Sequence, residues 1–214
     1  MKIFISVLFL AVVLGVLWLV KKRTSQAARP RPDLTDWDLK CMAYHEAGHA
    51  VCSYFLPERE KLTMITIDPT SEAFGMIRTE PRLHHNETQV SFSGTISTLL
   101  AGRLAEEMFL DTISTSCVHD LAAARSIAGN MVINLGMGKN LGVCTIPECA
   151  YTSEEYKKQI CQDIQAIMQA ANSRARKVLA DHRALVAALA ETLLERRTLA
   201  EKEIAAFFQS HGEK

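Results

Sequence analysis

The stretch "CMAYHEAGHAVCSYFLP", residues 41–57, decides how this chain folds and what lies at its centre. Its apolar residues recur with helical spacing until Pro57, which stops the pattern. A helix this apolar is expected to be buried, yet it carries His45, Glu46 and His49. Because burying such groups without a partner is costly, the pattern predicts that they share a ligand.

The spacing of these three residues is typical of a zinc site on a helix. His45 and His49 are four residues apart and therefore lie on one helix face, where both imidazoles can reach one ion. Zinc bound by two neutral histidines and a carboxylate keeps one position for water and lowers its pKa to about 7. Glu46 can accept the proton of that water. A chance match is the alternative, but the H-E-x-x-H motif predicts a zinc peptidase with Glu46 as general base.

A site of this kind needs a third protein ligand, and spacing alone leaves five side chains open: Glu106, Glu107, Asp111, His119 and Asp120. Glu107 and Asp111 have the E-x-x-x-D spacing of a thermolysin-like second helix. Asp120 lies early on the next predicted helix, from which a carboxylate can point back to the metal. A further possibility is that Glu106 or Glu107 orients a histidine ligand instead of binding the metal.

The remaining pattern predicts a mainly α fold with a small β-sheet. Thr35 or Asp36 is expected to cap the first helix, and Gly48 within it suggests close approach of another segment. Period-two alternation predicts strands in "KLTMITIDP" and "AFGMIRTE". Helical periodicity predicts helices over 87–110 and 116–135, a long helix from a Thr152–Glu155 capping box to about Ala180, and a last one from a Thr198–Glu201 box.

The N-terminal residues predict a membrane anchor. Residues 3–20, "IFISVLFLAVVLGVLWLV", are uncharged and long enough to cross a bilayer. "KKR" follows directly, so the positive-inside rule places the C-terminal body in the cytoplasm. A cleaved signal peptide is the alternative, but its charges would precede the apolar run. We therefore expect an anchor at 1–22, a basic linker at 23–34 and one metallopeptidase domain at 35–214.

Charge and cysteine usage exclude some function classes. The chain has 24 basic and 24 acidic residues, of which six basic and no acidic ones lie in residues 1–32, so the body holds 18 basic against 24 acidic residues. This balance gives no reason to expect nucleic acid as a partner. The six cysteines lie in apolar segments and are expected to be reduced core residues. Cys144 and Cys149 could form half of a zinc knuckle, but no second close pair completes it.

Several separated motifs resemble the protease domain of the FtsH family of membrane-bound zinc proteases. "HEAGHA" at 45–50 resembles the zinc helix of that family, and "ISTLLAGRLAEEMF" at 96–109 is similar to its G-G-R-x-A-E-E segment. "HDLAAARSIAGNMVINLGMGKNLG" at 119–142 resembles the helix that follows in the family. The resemblance covers roughly residues 36–208, with the motifs in the family's order.

The resemblance implies a role for each site residue. His45 and His49 would bind zinc, Glu46 would be the general base, and Asp120 would be the third ligand, with Glu107 as the runner-up. The hairpin "TMITIDPTSEAFGMIRTE" resembles the family's strand beside the active cleft, to which an extended substrate adds through main-chain hydrogen bonds.

The same resemblance predicts partners. No G-x-x-x-x-G-K-[ST] motif occurs in the chain, so we expect it to lack an ATPase of its own. The expected function is that of a membrane-anchored zinc endopeptidase acting on unfolded or flexible polypeptides, with lipid contact through residues 3–20 and assembly into a homo-oligomer, a hexameric ring by resemblance. The alternatives are a protease subunit that works with a separate AAA ATPase and a catalytically silent, membrane-tethered regulatory module.

Overall fold

The structure, a computed structural model, describes residues 33–56, 61–69, 75–80, 86–143 and 153–211. These residues form six α-helices and three short strands, in the order α1 (Asp36–Phe55), β1 (Leu62–Thr66), β2 (Met76–Thr79), α2 (Gln89–Leu110), α3 (Val118–Ile133), α4 (Glu154–Asp181), α5 (Arg183–Arg196), β3 (Thr198–Ala200) and α6 (Glu201–His211). The prediction of a mainly helical fold with a small sheet is confirmed.

Helix α1 is the central element of the fold. Thr35 caps it in a capping box with Asp38, and the helix ends at Phe55, close to where Pro57 was expected to stop it. Every residue from Cys41 to Ser53 is buried, so α1 has neighbours on all sides. Its apolar residues form one large core cluster with parts of α2, α5, α6 and the sheet.

The sheet has the strand order β2-β1-β3, with both pairs antiparallel. Ile65 in the central strand lies opposite Ile77 on one side and Leu199 on the other. All three side chains belong to or pack against the main core cluster. The sheet therefore covers part of that core with one face, while β1 and β2 confirm the two predicted strands.

The third strand is a correction to the prediction at Thr198. A capping box between Thr198 and Glu201 was expected there, but the Thr198 hydroxyl hydrogen-bonds the Thr66 hydroxyl across the β1–β3 ladder at 2.6 Å. The first turn of α6 is instead closed by Glu203, whose carboxylate accepts a hydrogen bond from the Ala200 amide. Thr198 therefore pairs with the distant strand β1 and does not act as a helix cap.

Helices α2 and α3 are separated by a short irregular segment. Helix α2 ends at Leu110, as predicted, and Asp111 follows it in the left-handed conformation, φ 52°. A turn of 3-10 helix over Thr115–Cys117 then leads into α3, and Gly136 follows α3 with φ 60°. These breaks fold α2 back beside α3 and α4, where a second apolar cluster lies between the three helices.

Two further sequence predictions concern cysteines and the N-terminal region. Cys41, Cys52 and Cys117 are buried free thiols, but Cys161 is exposed on α4, so its prediction as a core residue was wrong. Cys144, Cys149 and Thr152 lie outside the described residues, as do the predicted anchor and basic linker except for residues 33 and 34. Among the described helices, none is both long and apolar enough to cross a membrane.

Candidate metal centre

Three polar residues of α1 face the interior of the protein. His45, Glu46 and His49 expose only 4%, 6% and 6% of their surface. The two histidines project from one face toward α2, since they are one helical turn apart, and their rings meet edge to face with centroids 4.6 Å apart. The buried part of α1 therefore presents two imidazoles at a single point.

Asp120, in the first turn of α3, completes a cluster with the two histidines. Its Oδ2 lies 3.0 Å from Nε2 of His45 and 3.2 Å from Nε2 of His49, and the two Nε2 atoms are 3.0 Å apart. Two imidazoles and a carboxylate are a donor set that zinc prefers. Donors around tetrahedral zinc are about 3.3–3.6 Å apart, so the triangle needs only a few tenths of an ångström of opening. The group fits a zinc ion.

The other ring nitrogen of each histidine is already engaged. Nδ1 of His49 lies 2.7 Å from the carbonyl oxygen of Thr98, which can only accept, so Nδ1 must donate. Nδ1 of His45 lies 2.6 Å from Oε1 of Glu106, a fully buried carboxylate. With Nδ1 as the donor in both rings, Nε2 of each histidine is directed at the cluster, where it offers a lone pair once it carries no proton, as metal ligation requires.

Glu106 also connects the site to the segment before α3. Its Oε2 accepts a hydrogen bond from the Ser114 amide at 2.6 Å. Burial on its own raises the pKa of Glu106, but the hydrogen bonds from His45 and Ser114 outweigh it and hold the pKa below the usual range. The carboxylate is therefore ionised. It holds the ring of His45 with one oxygen and, with the other, the chain segment that leads to Asp120.

Small residues let α1 and α2 pack at backbone distance around the site. A Cβ atom on Gly48 would lie 2.6 Å from the Ala101 carbonyl oxygen, which confirms the close approach predicted there. A Cβ atom on Gly102 would lie 2.6 Å from Nε2 of His49 and 2.7 Å from Nε2 of His45. The space at Gly102 is thus occupied by the two imidazoles.

Glu46 lies on the side of α1 that faces the start of β2. Its Oε1 would be 2.6 Å from a Cβ atom on Gly75, so the carboxylate sits directly against the Gly75 backbone. Burial raises the pKa of Glu46, although the nearby histidines lower it in part. A carboxylate whose pKa is raised by burial is a stronger base than one in water.

The protonation of the cluster is set by its carboxylates. Burial lowers the pKa of His45, but its hydrogen bonds to Asp120 and Glu106 more than compensate and raise that pKa to about 9. Asp120 is partly buried, which raises its pKa, yet the two histidines hold it far below the usual range. In the metal-free protein the site therefore keeps a proton that a cation would have to displace.

The other residues considered for a third ligand lie elsewhere. Glu107 is partly exposed and accepts a hydrogen bond from Arg176 at 2.9 Å. Asp111 and His119 are exposed. Glu106, for which the sequence allows either a ligand or an orienting role, lies against Nδ1 of His45. The sequence predicts no role at the site for Gly75, Thr98, Gly102 and Ser114, because a contact made through the backbone has no local sequence signal.

Comparison with known proteins gives a consistent family assignment. A family profile described as "Peptidase family M41" matches residues 34–207. The chain is 31% identical over 187 residues to the ATP-dependent zinc metalloprotease FtsH of Haemophilus influenzae and 32% over 182 residues to that of Thermus thermophilus, covering 80% and 79% of this chain and 29% of each relative. It is 33% identical over 165 residues to the ATP-dependent zinc metalloprotease YME1L1 of Mus musculus, covering 76% of this chain and 23% of that protein.

Proposed function

This chain belongs to peptidase family M41 and carries an FtsH-type zinc protease domain, and from that premise we propose that it is a zinc-dependent endopeptidase acting on unfolded or flexible polypeptides. The observation that carries the proposal is the meeting of His45, His49 and Asp120 at one buried point. Because the chain spans about three tenths of the length of the first two relatives, its substrates and partners are part of the proposal.

In this proposal Nε2 of His45, Nε2 of His49 and the carboxylate of Asp120 bind the zinc. Zinc held by three protein ligands leaves one position for a water molecule and lowers the pKa of that water toward ~7. Asp120 supplies one negative charge, which partly neutralises the ion and favours its entry into a buried site. Thr98 and Glu106 hold the two rings with Nε2 facing the ion.

Glu46 acts as the general base. It takes a proton from the attacking water at a carboxylate oxygen and gives it to the amide nitrogen that leaves, so that no net proton remains on the enzyme. The raised pKa of Glu46, caused by burial, supports this role because the group must both accept and release a proton. The backbone of Gly75 lies against the Glu46 carboxylate and limits its movement in that direction.

The substrate is proposed to bind as an extended strand along β2. This strand lies at the edge of the sheet and begins next to Gly75, which touches Glu46. Main-chain hydrogen bonds to an edge strand can form with peptides of many different sequences. Most of the binding affinity is therefore independent of the substrate side chains. Such binding suits flexible chains, because a folded substrate rarely offers a free extended segment.

We further propose the setting in which the enzyme acts. Residues 3–20 would anchor it in a membrane with the protease domain on the cytoplasmic side. It would form a homo-oligomer, and a separate AAA ATPase would unfold substrates for it, since the curated relatives bear the name ATP-dependent zinc metalloprotease. The ATPase partner is tested separately. The protein is purified in detergent, and any ATPase bound to it is assayed for stimulation of the cleavage of a folded protein.

The experiment that tests the function uses the purified 214-residue chain, assayed for zinc content and for cleavage of casein. We expect one zinc per chain in the wild type. Glu46→Gln should keep the zinc and lose casein cleavage by about 10²–10⁴-fold, because only the general base is removed. Asp120→Asn should lose zinc and activity together, because a ligand is removed.

A matched control is Glu107→Gln, which removes the same charge as Asp120→Asn from a residue that is hydrogen-bonded to Arg176. This variant should keep both zinc and activity. Zinc loss in Glu107→Gln with zinc retained in Asp120→Asn would reverse the ligand assignment. Bound zinc without cleavage of any unfolded substrate, even with an added ATPase, would contradict the peptidase and favour a silent regulatory module.

A further inference from the structure

The outer edge of β2 leads away from the candidate catalytic carboxylate. Its inner edge pairs with β1, and no other strand among the described residues pairs with its outer edge. Gly75, directly before β2, touches Glu46, whereas Arg78 lies about 10 Å further along the strand. A polypeptide that adds to this edge at the site would therefore also pass Arg78.

Arg78 projects from the face of the sheet that points away from the core. Its neighbour Ile77 packs on the core, and side chains alternate along a strand, so Met76 and Arg78 share the opposite face. Arg78 lies opposite Met64 in the ladder and is exposed. Its Nε donates a hydrogen bond to Sδ of Met76 at 3.4 Å, which draws the head group along the strand toward the site.

An added strand would place one of its own side chains next to Arg78. Both ladders of this sheet are antiparallel, and continuing that pattern makes the added chain run from Arg78 toward Gly75. Residues directly opposite each other in such a pair have their side chains on the same face, about 5 Å apart. An acidic side chain at this position would form an ion pair with the guanidinium, and a basic one would be repelled.

Resting on the proposed function, we propose that Arg78 is a specificity-determining residue that favours substrates with an acidic side chain on the N-terminal side of the cleaved bond. The favoured position lies three residues before the one that pairs with Gly75. Cross-strand charge pairs on an exposed face have modest energies, which correspond to a preference of up to about fivefold over a neutral residue. Salt should weaken the preference, because exposed ion pairs are screened.

The test separates peptide binding from cleavage. Short unstructured peptides carry one Glu, one Gln or one Lys at successive positions, and their binding to the full-length Glu46→Gln variant loaded with zinc is measured by fluorescence anisotropy. We expect the Glu peptide to bind up to about fivefold more tightly than the Gln peptide at one position. In the double variant with Arg78→Gln this ratio should fall to one, and with Arg78→Glu the Lys peptide should bind best.

Lys158→Gln is the control, since it removes one exposed positive charge from α4, which carries none of the proposed zinc ligands. It should leave the Glu to Gln ratio unchanged. A ratio that survives Arg78→Gln, a favoured position on the C-terminal side of the cleaved bond, or no binding of any peptide would overturn the role of Arg78.

Cleavage by the wild type distinguishes this inference from the function on which it rests. If neutral peptides are cut but the Glu peptide shows no advantage that depends on Arg78, the inference fails and the peptidase stands. If no peptide is cut by the zinc-loaded wild type, the peptidase fails, while the anisotropy ratios still decide whether Arg78 selects acidic chains.

Discussion

Nδ1 of His45 lies 2.6 Å from Oε1 of Glu106, a carboxylate that is completely buried between α1 and the segment before α3. The second oxygen of Glu106 accepts a hydrogen bond from the amide of Ser114, which lies six residues before Asp120. One side chain therefore connects a proposed ligand on α1 with the chain that leads to the proposed ligand on α3. A site whose donors come from two separate helices, α1 and α3, needs such a link to keep them together when the ion is absent.

Glu106→Gln is predicted to weaken zinc binding by about 10–100-fold without unfolding the protein, because partners of a ligating histidine typically contribute this much to affinity. The amide keeps nearly the same shape but loses the charge that favours His45 Nδ1 as donor. Competition with a chelator of known affinity measures the change, and circular dichroism checks the fold.

The neighbouring residue supplies the control for this prediction. Glu107→Gln changes the same group one position along α2, where the carboxylate is held by Arg176 at the surface. Its zinc affinity should equal that of the wild type within about twofold, since surface substitutions have small effects. Equal losses in both variants would show that charge on α2, and not the contact with His45, matters for binding.

Gly102→Ala is predicted to abolish zinc binding. The added methyl group would lie 2.6 Å from Nε2 of His49 and 2.7 Å from Nε2 of His45, which are the atoms proposed to hold the ion. Either ring must turn away, and both cannot then face Asp120. The measurement is zinc content after dialysis, combined with urea unfolding to follow stability.

Gly129→Ala is the matched control, because a Cβ atom there would meet only Ile164 Cδ1, at 3.9 Å. The substitution, inside the C-terminal half of α3, should keep the zinc and stabilise the protein by about 0.5–1 kcal/mol, since alanine has the higher helix propensity. Full zinc content in Gly102→Ala would mean that the imidazoles do not occupy the position described.

Zinc affinity is predicted to rise with pH up to about 9, the value to which the hydrogen bonds with Asp120 and Glu106 raise the pKa of His45 against the opposing effect of burial. Below that pH the metal-free His45 is protonated, and zinc must displace the proton. The apparent dissociation constant should therefore fall about tenfold for each unit of rising pH until His45 is neutral. Metal-buffered titrations across this range measure the slope, and an affinity independent of pH would contradict the assignment of His45 as a ligand.

The local parts of the fold and site were predictable from sequence, because their signals lie within one element. Thr35 and Asp38 cap α1 within its first turn. Asp111 directly follows α2 and Gly136 lies after α3, and both residues have left-handed backbone conformations. The His45–His49 spacing acts within a single helix in the same way, so sequence alone could place both imidazoles on one face.

The parts that depend on tertiary contacts were not predictable. Strand β3 has only three residues, and its conformation depends on pairing with β1, more than 130 positions earlier, so a local capping pattern was mistaken for the structure. Glu106 and Glu107 are adjacent on one helix, and only the rotation of α2 against α1 decides which of them meets His45. The sequence places both acids near the site but carries no record of that rotation.

The last prediction concerns Asp163, a carboxylate on α4 that is 1% exposed and lies outside the metal centre. It accepts hydrogen bonds from the amides of Asn140 and Leu141 and from the side chain of Asn140, at 2.7–3.1 Å. Because each of these hydrogen bonds comes from an N–H donor, Asp163→Asn would turn an NH₂ group toward N–H groups. We expect a loss of about 1–3 kcal/mol in the free energy of unfolding, measured with urea.

The neighbouring Gln162→Ala, at an exposed position on the same helix, should change stability by no more than about 0.5 kcal/mol and serves as the control. Asp163→Ala should also destabilise the protein, since it leaves the amides of Asn140 and Leu141 without their acceptor. If Asp163→Asn unfolds at the wild-type urea concentration, the loop after α3 is held by its apolar contacts and not by this carboxylate.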